Sequence, residues 1–450
     1  MGRVKSGEYE VYFSGAAGSL GQSFLSDNSG NFRGGMVRLA GNSGDGEEVG
    51  ACFFDANGDG LLDLYVVNGS NEFPENDARY QDGLYLQGNG SWERVALPEM
   101  LTSGSVAVAD DYDGDGDLDL FVGGRLVPGR YPFPARSYLL ENDGKGNFHD
   151  VTAENAVGLL RPGMVTDALW ADYDGDGKRD LVLVGEWMPI QVFHNVGGKL
   201  VDVTSESGLA GFPGWWFCLA AGDVDGDGDL DFVAGNVGLN TKFPASEAAP
   251  LEIYCHDFDG SGSLDIVLAY HNEGQVYPVR GRTCSSQQMP NIKEKFPSYQ
   301  KFAESSIRDV YGSTLEEALH YKATTLASSL IINDSGGKFH LQPLPNAAQI
   351  SATNAIALRD FDGDGHLDIL LAGNMYATEV ETSRADAGVG LFLKGKGNGT
   401  FAAIPSQASG FFAPGDVKDM AVLDQPHKFT IILATHNGPP RTWEVQRKAP

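Results

Sequence analysis

The sequence predicts an all-β chain: a β-propeller of four-stranded antiparallel blades, seven in number with eight as the alternative, carrying a short helical insertion. Three observations predict it. A nine-residue acidic pattern recurs six times, starting at 55, 111, 172, 223, 257 and 360. Each copy sits between two short apolar runs, such as VAVAD before and LFVGG after, which read as strands flanked by turns. Glycine contributes 59 of 450 residues, about twice the ordinary ~7%, so a structured chain of this kind must turn tightly and often. Most copies are followed by a hairpin signature of the Asn-Asp-Gly or Gly-Lys-Gly kind, which completes a four-stranded unit of the size a propeller blade needs.

The elements follow in order. Residues 8–15 (EYEVYFSG) align with a strand that ordinarily follows an acidic loop, and they open the chain in mid-repeat. That start reads as a fragment of a longer protein. The loops are DANGDGLLD (55–63), DYDGDGDLD (111–119), DYDGDGKRD (172–180), DVDGDGDLD (223–231), DFDGSGSLD (257–265) and DFDGDGHLD (360–368). Hairpins follow at YLLENDGKGNF, VFHNVGGKL, LIINDSGGKF and LFLKGKGNGTF. The step from 223 to 257 is too short for a complete blade, and the step from 257 to 360 carries an insertion near 280–322. Pro297 can start a helix there, and Thr314 with Glu317 resembles a capping box. One of Trp215 and Trp216 is expected to pack between blades. The last copy, VLDQPHKFTIILATHNG, keeps Asp424 but has lost the other acids. The whole of 1–450 reads as one propeller domain, with 1–40 and 417–446 closing the ring by pairing terminal strands in one blade.

Composition bounds the function. The chain is 42% hydrophobic and 10% aromatic, enough to bury a large core. Against 61 acidic residues stand 32 Lys and Arg, a net charge of −29. Binding to nucleic acid or anionic lipid needs a basic face that this charge does not offer. No apolar run approaches the ~18 residues of a membrane-crossing helix. The stretch after Met1, GRVKSGEYEVYF, has neither the apolar core nor the cleavage site of a secretory leader. Four distant cysteines form no CxxC pair, so neither a zinc site nor a disulfide framework is indicated. Cys52, Cys218 and Cys255 lie in apolar runs and read as buried thiols.

Carboxylates two residues apart repel unless a cation lies between them. In DxDGDGxxD the side chains at positions 1, 3, 5 and 9 converge, position 7 offers its carbonyl, and glycines permit the turn. So many hard oxygens suit Ca²⁺ better than Mg²⁺ or a transition metal. The expected ligands are Asp55, Asn57, Asp59 and Asp63; Asp111, Asp113, Asp115 and Asp119; Asp172, Asp174, Asp176 and Asp180; Asp223, Asp225, Asp227 and Asp231; Asp257, Asp259, Ser261 and Asp265; and Asp360, Asp362, Asp364 and Asp368. That makes up to six structural Ca²⁺ sites. His366 occupies position 7, where its backbone rather than its ring would bind.

These loops and strands resemble FG-GAP/VCBS repeats, the calcium-binding propeller repeats of integrin α-subunit heads and of many bacterial surface or secreted proteins. The likeness runs over roughly 9–446. GEWMPI (185–190) and GNVGLN (235–240) are similar to a bacterial subgroup found beside ASPIC/UnbV-type modules. The resemblance implies fold and metal but no particular ligand. The sequence departs from it at Asn57, at Ser261 and in the loop at Asp424.

Whatever follows each post-loop strand should lie on the rim opposite the acidic loops. That face would gather Arg125, Arg130, Tyr131, Trp187, Asn236, Asn240, Tyr270, Asn374, Tyr376, Arg384 and Asn437, a polar and aromatic set suited to a protein or glycan. The sequence thus points to a non-catalytic binding or adhesion module without nucleic-acid or membrane partners. Filling the loops needs the calcium of an extracellular, surface or periplasmic setting. No GxSxG, HExxH, P-loop or GxGxxG motif is present. Two alternatives stay open: a polysaccharide lyase using His271, Tyr277 and Arg282, and a purely structural scaffold within a longer protein. On this reading, replacing Arg125 or Trp187 should cost binding and little stability.

Overall fold

The computed structural model describes residues 2–3, 9–26, 32–35, 39, 44–88, 91–378 and 382–447. Glu8 and parts of the 1–40 segment assigned to ring closure lie outside them. Among the described residues the chain forms eight antiparallel sheets and a minor helical region. The first sheet runs Gly2–Arg3, Tyr9–Phe13, Gln22–Ser26 and Phe32–Gly35. The second comprises Glu47–Phe54, Asp63–Gly69, Gly83–Gln87 and Trp92–Val95. The third comprises Ser103–Asp110, Asp119–Leu126, Tyr138–Asn142 and Phe148–Asp150. The fourth has Met164–Ala171, Asp180–Met188, Gln191–Asn195 and Leu200–Asp202, with Gly214–Trp215 added against its second strand.

The fifth sheet is interrupted. Its strands are Cys218–Gly222, Asp231–Gly235, Ser329–Asn333 and Phe339–Pro343. Between the second and third of these lies a complete further sheet, made of Leu251–His256, Asp265–Asn272, Gln275–Pro278 and Leu319–Ala323, with four short helices between Arg282 and Tyr311. The sixth sheet is Ala355–Arg359, Asp368–Ala372, Leu391–Gly395 and Phe401–Ile404. The seventh has Val417–Asp424, Lys428–Thr435 and Arg441–Gln446.

Two sequence expectations change here. The insertion is far larger than 280–322 and takes the 257–265 loop with it, which is why the spacing shrinks to 34 and then stretches to 103. Among the described residues the terminal strands do not share a blade. They form separate sheets that meet face to face, Tyr9 and Val11 against Leu423 and Ile432, with the Tyr9 hydroxyl donating to the Asp424 carbonyl.

Side-chain alternation explains the arrangement. In the second sheet Leu64 and Val66 pack toward the first sheet, while Tyr65 and Val67 pack toward the third. Leu120 and Val122 face back to the second sheet and Phe121 faces the fourth. The same switch recurs at Val182 and Leu183, at Phe232 and Val233, and at Ile369 and Leu370. Successive residues of a strand point to opposite faces, so a strand covered on both faces is apolar at every position. LVLV (181–184) and ILLA (369–372) are therefore continuous apolar runs. The sheets pack face to face on their neighbours in a propeller-like arrangement. Shortening Leu120, fully buried, to Ala should cost about 2–5 kcal/mol.

Candidate metal loops and the opposite rim

All six acidic loops join the first and second strands of a sheet: sheets two to six and the inserted one. Their internal bonding repeats. The first aspartate accepts the N–H five residues on, Gly60 to Asp55 at 2.7 Å, Gly177 to Asp172 at 3.0 Å and Gly365 to Asp360 at 2.9 Å among them. Positions 3 and 5 accept the N–H two residues on, as Asp115 donates to Asp113 and Asp117 to Asp115. The turn needs glycine: Gly114 and Gly116 have φ of 82° and 100°.

The ninth-position aspartate fastens the loop to its sheet. Asp63 accepts from Ala56 at 2.8 Å and Gln87 at 2.7 Å, and Asp231 from Val224 at 2.9 Å and Asn333 at 2.8 Å. The asparagine at that third-strand end then reaches the preceding sheet. Asn142 donates to the Ala56 carbonyl, Asn195 to that of Tyr112 and Asn333 to that of Tyr173. Each acceptor is position 2 of the previous acidic loop, so loop and neighbour are tied as a chain. Sequence reading missed these three asparagines, because an Asn opening a Gly-rich hairpin, as in NDGKG, NVGGK and NDSGG, carries an ordinary turn signal.

The donor sets fit a hard divalent cation. Carboxylate oxygens of Asp111, Asp113 and Asp115 lie within 4.8 Å of one another, as do those of Asp172, Asp174 and Asp180, of Asp223, Asp225 and Asp231, and of Asp257, Asp259 and Asp265. His194 joins Asp174 and Asp176 in a further cluster. Oδ2 of Asp119 and of Asp180 is buried without a hydrogen-bond partner, and so is Oδ1 of Asp172. A buried carboxylate oxygen left alone costs stability unless a cation takes it. Such an ion would be held by the four side chains of each loop and would supply charge neutralisation.

Burial, reinforced by neighbouring acids and opposed by the Asn142 N–H, pushes Asp119 up to about 8. Burial likewise lifts Asp63, Asp180 and Asp231 to about 6 against their backbone donors. These folded values lie above the ordinary ~3.9 of an unfolded chain, so the metal-free fold prefers these groups protonated. Their stabilising contribution is full below pH ~4 and is lost as pH rises through about 6 to 8. In EDTA the melting temperature should therefore fall between pH 5 and pH 8.5, taken as roughly the window of that loss. Saturating Ca²⁺ should flatten the slope and release protons on binding; identical pH profiles with and without Ca²⁺ would refute this.

The opposite rim is largely occupied. The inserted sheet lays Leu251, Ile253 and Ala323 over Leu126, Met164 and Trp187. Trp187 is 4% exposed, and its indole donates to the Tyr131 hydroxyl at 2.7 Å. Tyr131 in turn donates to Glu186 at 2.9 Å, and Arg125 clasps the same buried carboxylate. Asn236 and Asn374 are fully buried. Asn236 donates to the Thr325 carbonyl, and Asn374 donates to those of Gly388 and Gly415 while accepting from Ser351. Asn240 donates to the Ile350 carbonyl at 3.0 Å from an exposed position. Arg130 is exposed over the Phe133 ring, Arg384 lies 4.6 Å over Tyr376 and bonds Asp386, and Asn437 is exposed beside His436. Tyr270 belongs to the inserted sheet, its ring tilted against that of Tyr277 at 6.1 Å.

The alternative catalytic set has partners of its own. His271 bonds Glu252 at 2.7 Å, and Arg282 donates to the Phe296 and Lys293 carbonyls. Burial would raise Glu252, but His320, Tyr254 and His271 all bond it and hold it at about 2. Sequence gave no sign of Glu252, whose partners come from three strands. Trp216 is fully buried between the fourth and fifth sheets. Cys218 and Cys255 are buried, whereas Cys52 is half-buried. Among the described residues no helix is long and apolar enough to cross a membrane.

Comparison with known proteins places these loops in context. The profile of an FG-GAP-like repeat matches residues 55–122, 111–183 and 172–234. Cartilage acidic protein 1 of Xenopus tropicalis is 28% identical over 398 residues, covering 82% of this chain and 54% of its own length. Its Homo sapiens counterpart is 23% identical over 395 residues, with 82% and 53% covered. The chain thus spans about half the length of the curated relatives it matches. Among solved structures, an Agrocybe aegerita lectin described as recognising non-reducing terminal N-acetylglucosamine aligns at TM-score 0.46 and 13% identity, covering 96% of this chain and 89% of that one. Saccharomyces cerevisiae Sqt1 aligns at TM-score 0.45 and 12% identity, covering 97% and 93%.

Proposed function

We propose, on the premise that this chain carries FG-GAP-like repeats and is related to cartilage acidic protein-like proteins, that it is a closed seven-bladed propeller whose loops bind Ca²⁺ structurally. It serves as a non-catalytic binding or adhesion module at the cell surface or outside the cell. The observation that carries the metal part is the recurrence of buried, unpartnered carboxylate oxygens at Asp119 and Asp180 inside loops of one geometry. The integrin-head likeness and the bacterial subgroup belong to this reading through the motif loops and the GEWMPI and GNVGLN segments.

The ligand, an extracellular protein or glycan, would meet the rim opposite the ring's acidic loops. Arg130, Asn240, Tyr376, Arg384 and Asn437 offer exposed polar and aromatic groups there. Arg125, Tyr131, Trp187, Asn236 and Asn374 would act beneath them by holding the rim segments. An array of glycans and peptides, probed with and without EDTA, tests this. Tyr376→Ala and Arg384→Ala should weaken the captured ligand by at least about tenfold with an unchanged melting curve. Normal binding by both variants would remove the site from this rim. Calcium-dependent formation of unsaturated sugar product from acidic polysaccharides would replace the binder with a lyase.

A further inference from the structure

In five sheets the N–H at the end of the third strand donates to the ninth-position aspartate: Gln87 to Asp63, Asn142 to Asp119, Asn195 to Asp180, Asn333 to Asp231 and Gly395 to Asp368. The residue one step earlier is therefore equivalent in each sheet. It is Leu86, Glu141, His194, Ile332 and, in the sixth sheet, Lys394. The Lys394 ammonium bridges two carboxylates of its loop, in direct contact with Asp362 and 2.8 Å from Asp364 Oδ2. These are the third and fifth positions, where a metal ion would be held. Lys178 differs, because it belongs to its own loop and is paired with the single carboxylate of Asp176.

We propose that Lys394 is the resident cation of the 360–368 loop, which makes that loop the last to need a divalent ion. The inference rests on the metal reading above. A divalent ion entering this loop must first break two charge-assisted contacts, a cost absent where Leu86 or Ile332 stands. The neighbouring sheets extend the consequence. The seventh has a short turn in place of an acidic loop, with Asp424 paired to Arg447. In the first, the connection equivalent to an acidic loop lies between Gly2–Arg3 and Tyr9–Phe13 and reads VKSGE, five residues without an aspartate. Sheets six, seven and one are consecutive through the Tyr9–Leu423 contact, so they form an arc that holds without metal. Metal dependence is confined to sheets two to five and the inserted sheet. Calcium loss would then loosen one side of the ring and leave the other as a fixed base.

Melting curves of the wild type and Lys394→Met, in EDTA and in Ca²⁺, test the assignment. Lys394→Met should melt lower than wild type in EDTA and regain or exceed wild-type stability in Ca²⁺. Calcium titration should show one site tightened by about tenfold or more. Hydrogen exchange of the wild type in EDTA should stay slow at 360–368 while it accelerates at 111–119. If Ca²⁺ stabilises the wild type but Lys394→Met superimposes on it in both buffers, Lys394 is no cation of that loop. If Ca²⁺ leaves the wild-type curve unmoved, the metal reading fails and this proposal falls with it.

Discussion

Stripping divalent ions with EDTA should lower the melting temperature by on the order of 10 °C, and excess Ca²⁺ should restore it where equal Mg²⁺ does not. The size follows from mass action. Extracellular calcium loops bind at ~0.1–1 mM, so at ~1 mM free ion each filled loop adds about 0.4–1.4 kcal/mol. Five such loops give roughly 2–7 kcal/mol, comparable to a whole domain's stability. The effect per loop should also exceed a local one. Three ninth-position aspartates hold an asparagine that bonds the preceding loop, Asp119 through Asn142, Asp180 through Asn195 and Asp231 through Asn333. Losing one cation therefore slackens two sheets. Mg²⁺ is small, prefers octahedral geometry and keeps its waters, so four converging side chains serve it poorly. A melting curve unchanged by EDTA would end the metal reading.

Much of this was legible in the sequence, for a physical reason. The acidic loops are contiguous in the chain, and their converging carboxylates are a local property of DxDGDGxxD. The strands could be placed because a two-face-buried strand such as LVLV (181–184) is apolar throughout. What escaped depended on long-range packing. The 257–265 loop copies the ring motif, so spacing alone could not reveal that its sheet is inserted between Gly235 and Ser329. Once that sheet covers the rim, Trp187 becomes an interior group, and Asn374 is buried by its bonds to Ser351, Gly388 and Gly415, although their segments carry the Gly-Asn and aromatic character of an exposed loop. Glu252 could not be anticipated, since His271 and His320 come from strands on either side of it.

The same covering reverses the expectation for Arg125. Read from sequence, its replacement should cost binding and little stability. In the structure its guanidinium meets Glu186, whose side chain is 3% exposed and also accepts the Tyr131 hydroxyl. Removing one partner of a buried pair typically costs ~3–5 kcal/mol, because the remaining charge stays buried without compensation. The Arg125 side chain is 42% exposed, so solvent screens part of that loss and about 2–4 kcal/mol is expected for Arg125→Met. Arg125→Lys should recover only part, since an ammonium cannot present the guanidinium's fork. Adding Glu186→Gln to Arg125→Met removes the stranded charge and should return more than half of the loss. Asp113→Ala, on the other rim, should behave differently: its cost should be large in Ca²⁺ and should shrink in EDTA, where no ion is left to lose. The cost of Arg125→Met should be equal in both buffers. If instead the Arg125 variant melts like wild type, the clasp on Glu186 does not support the rim, and Arg125 returns to the group of residues available to a ligand.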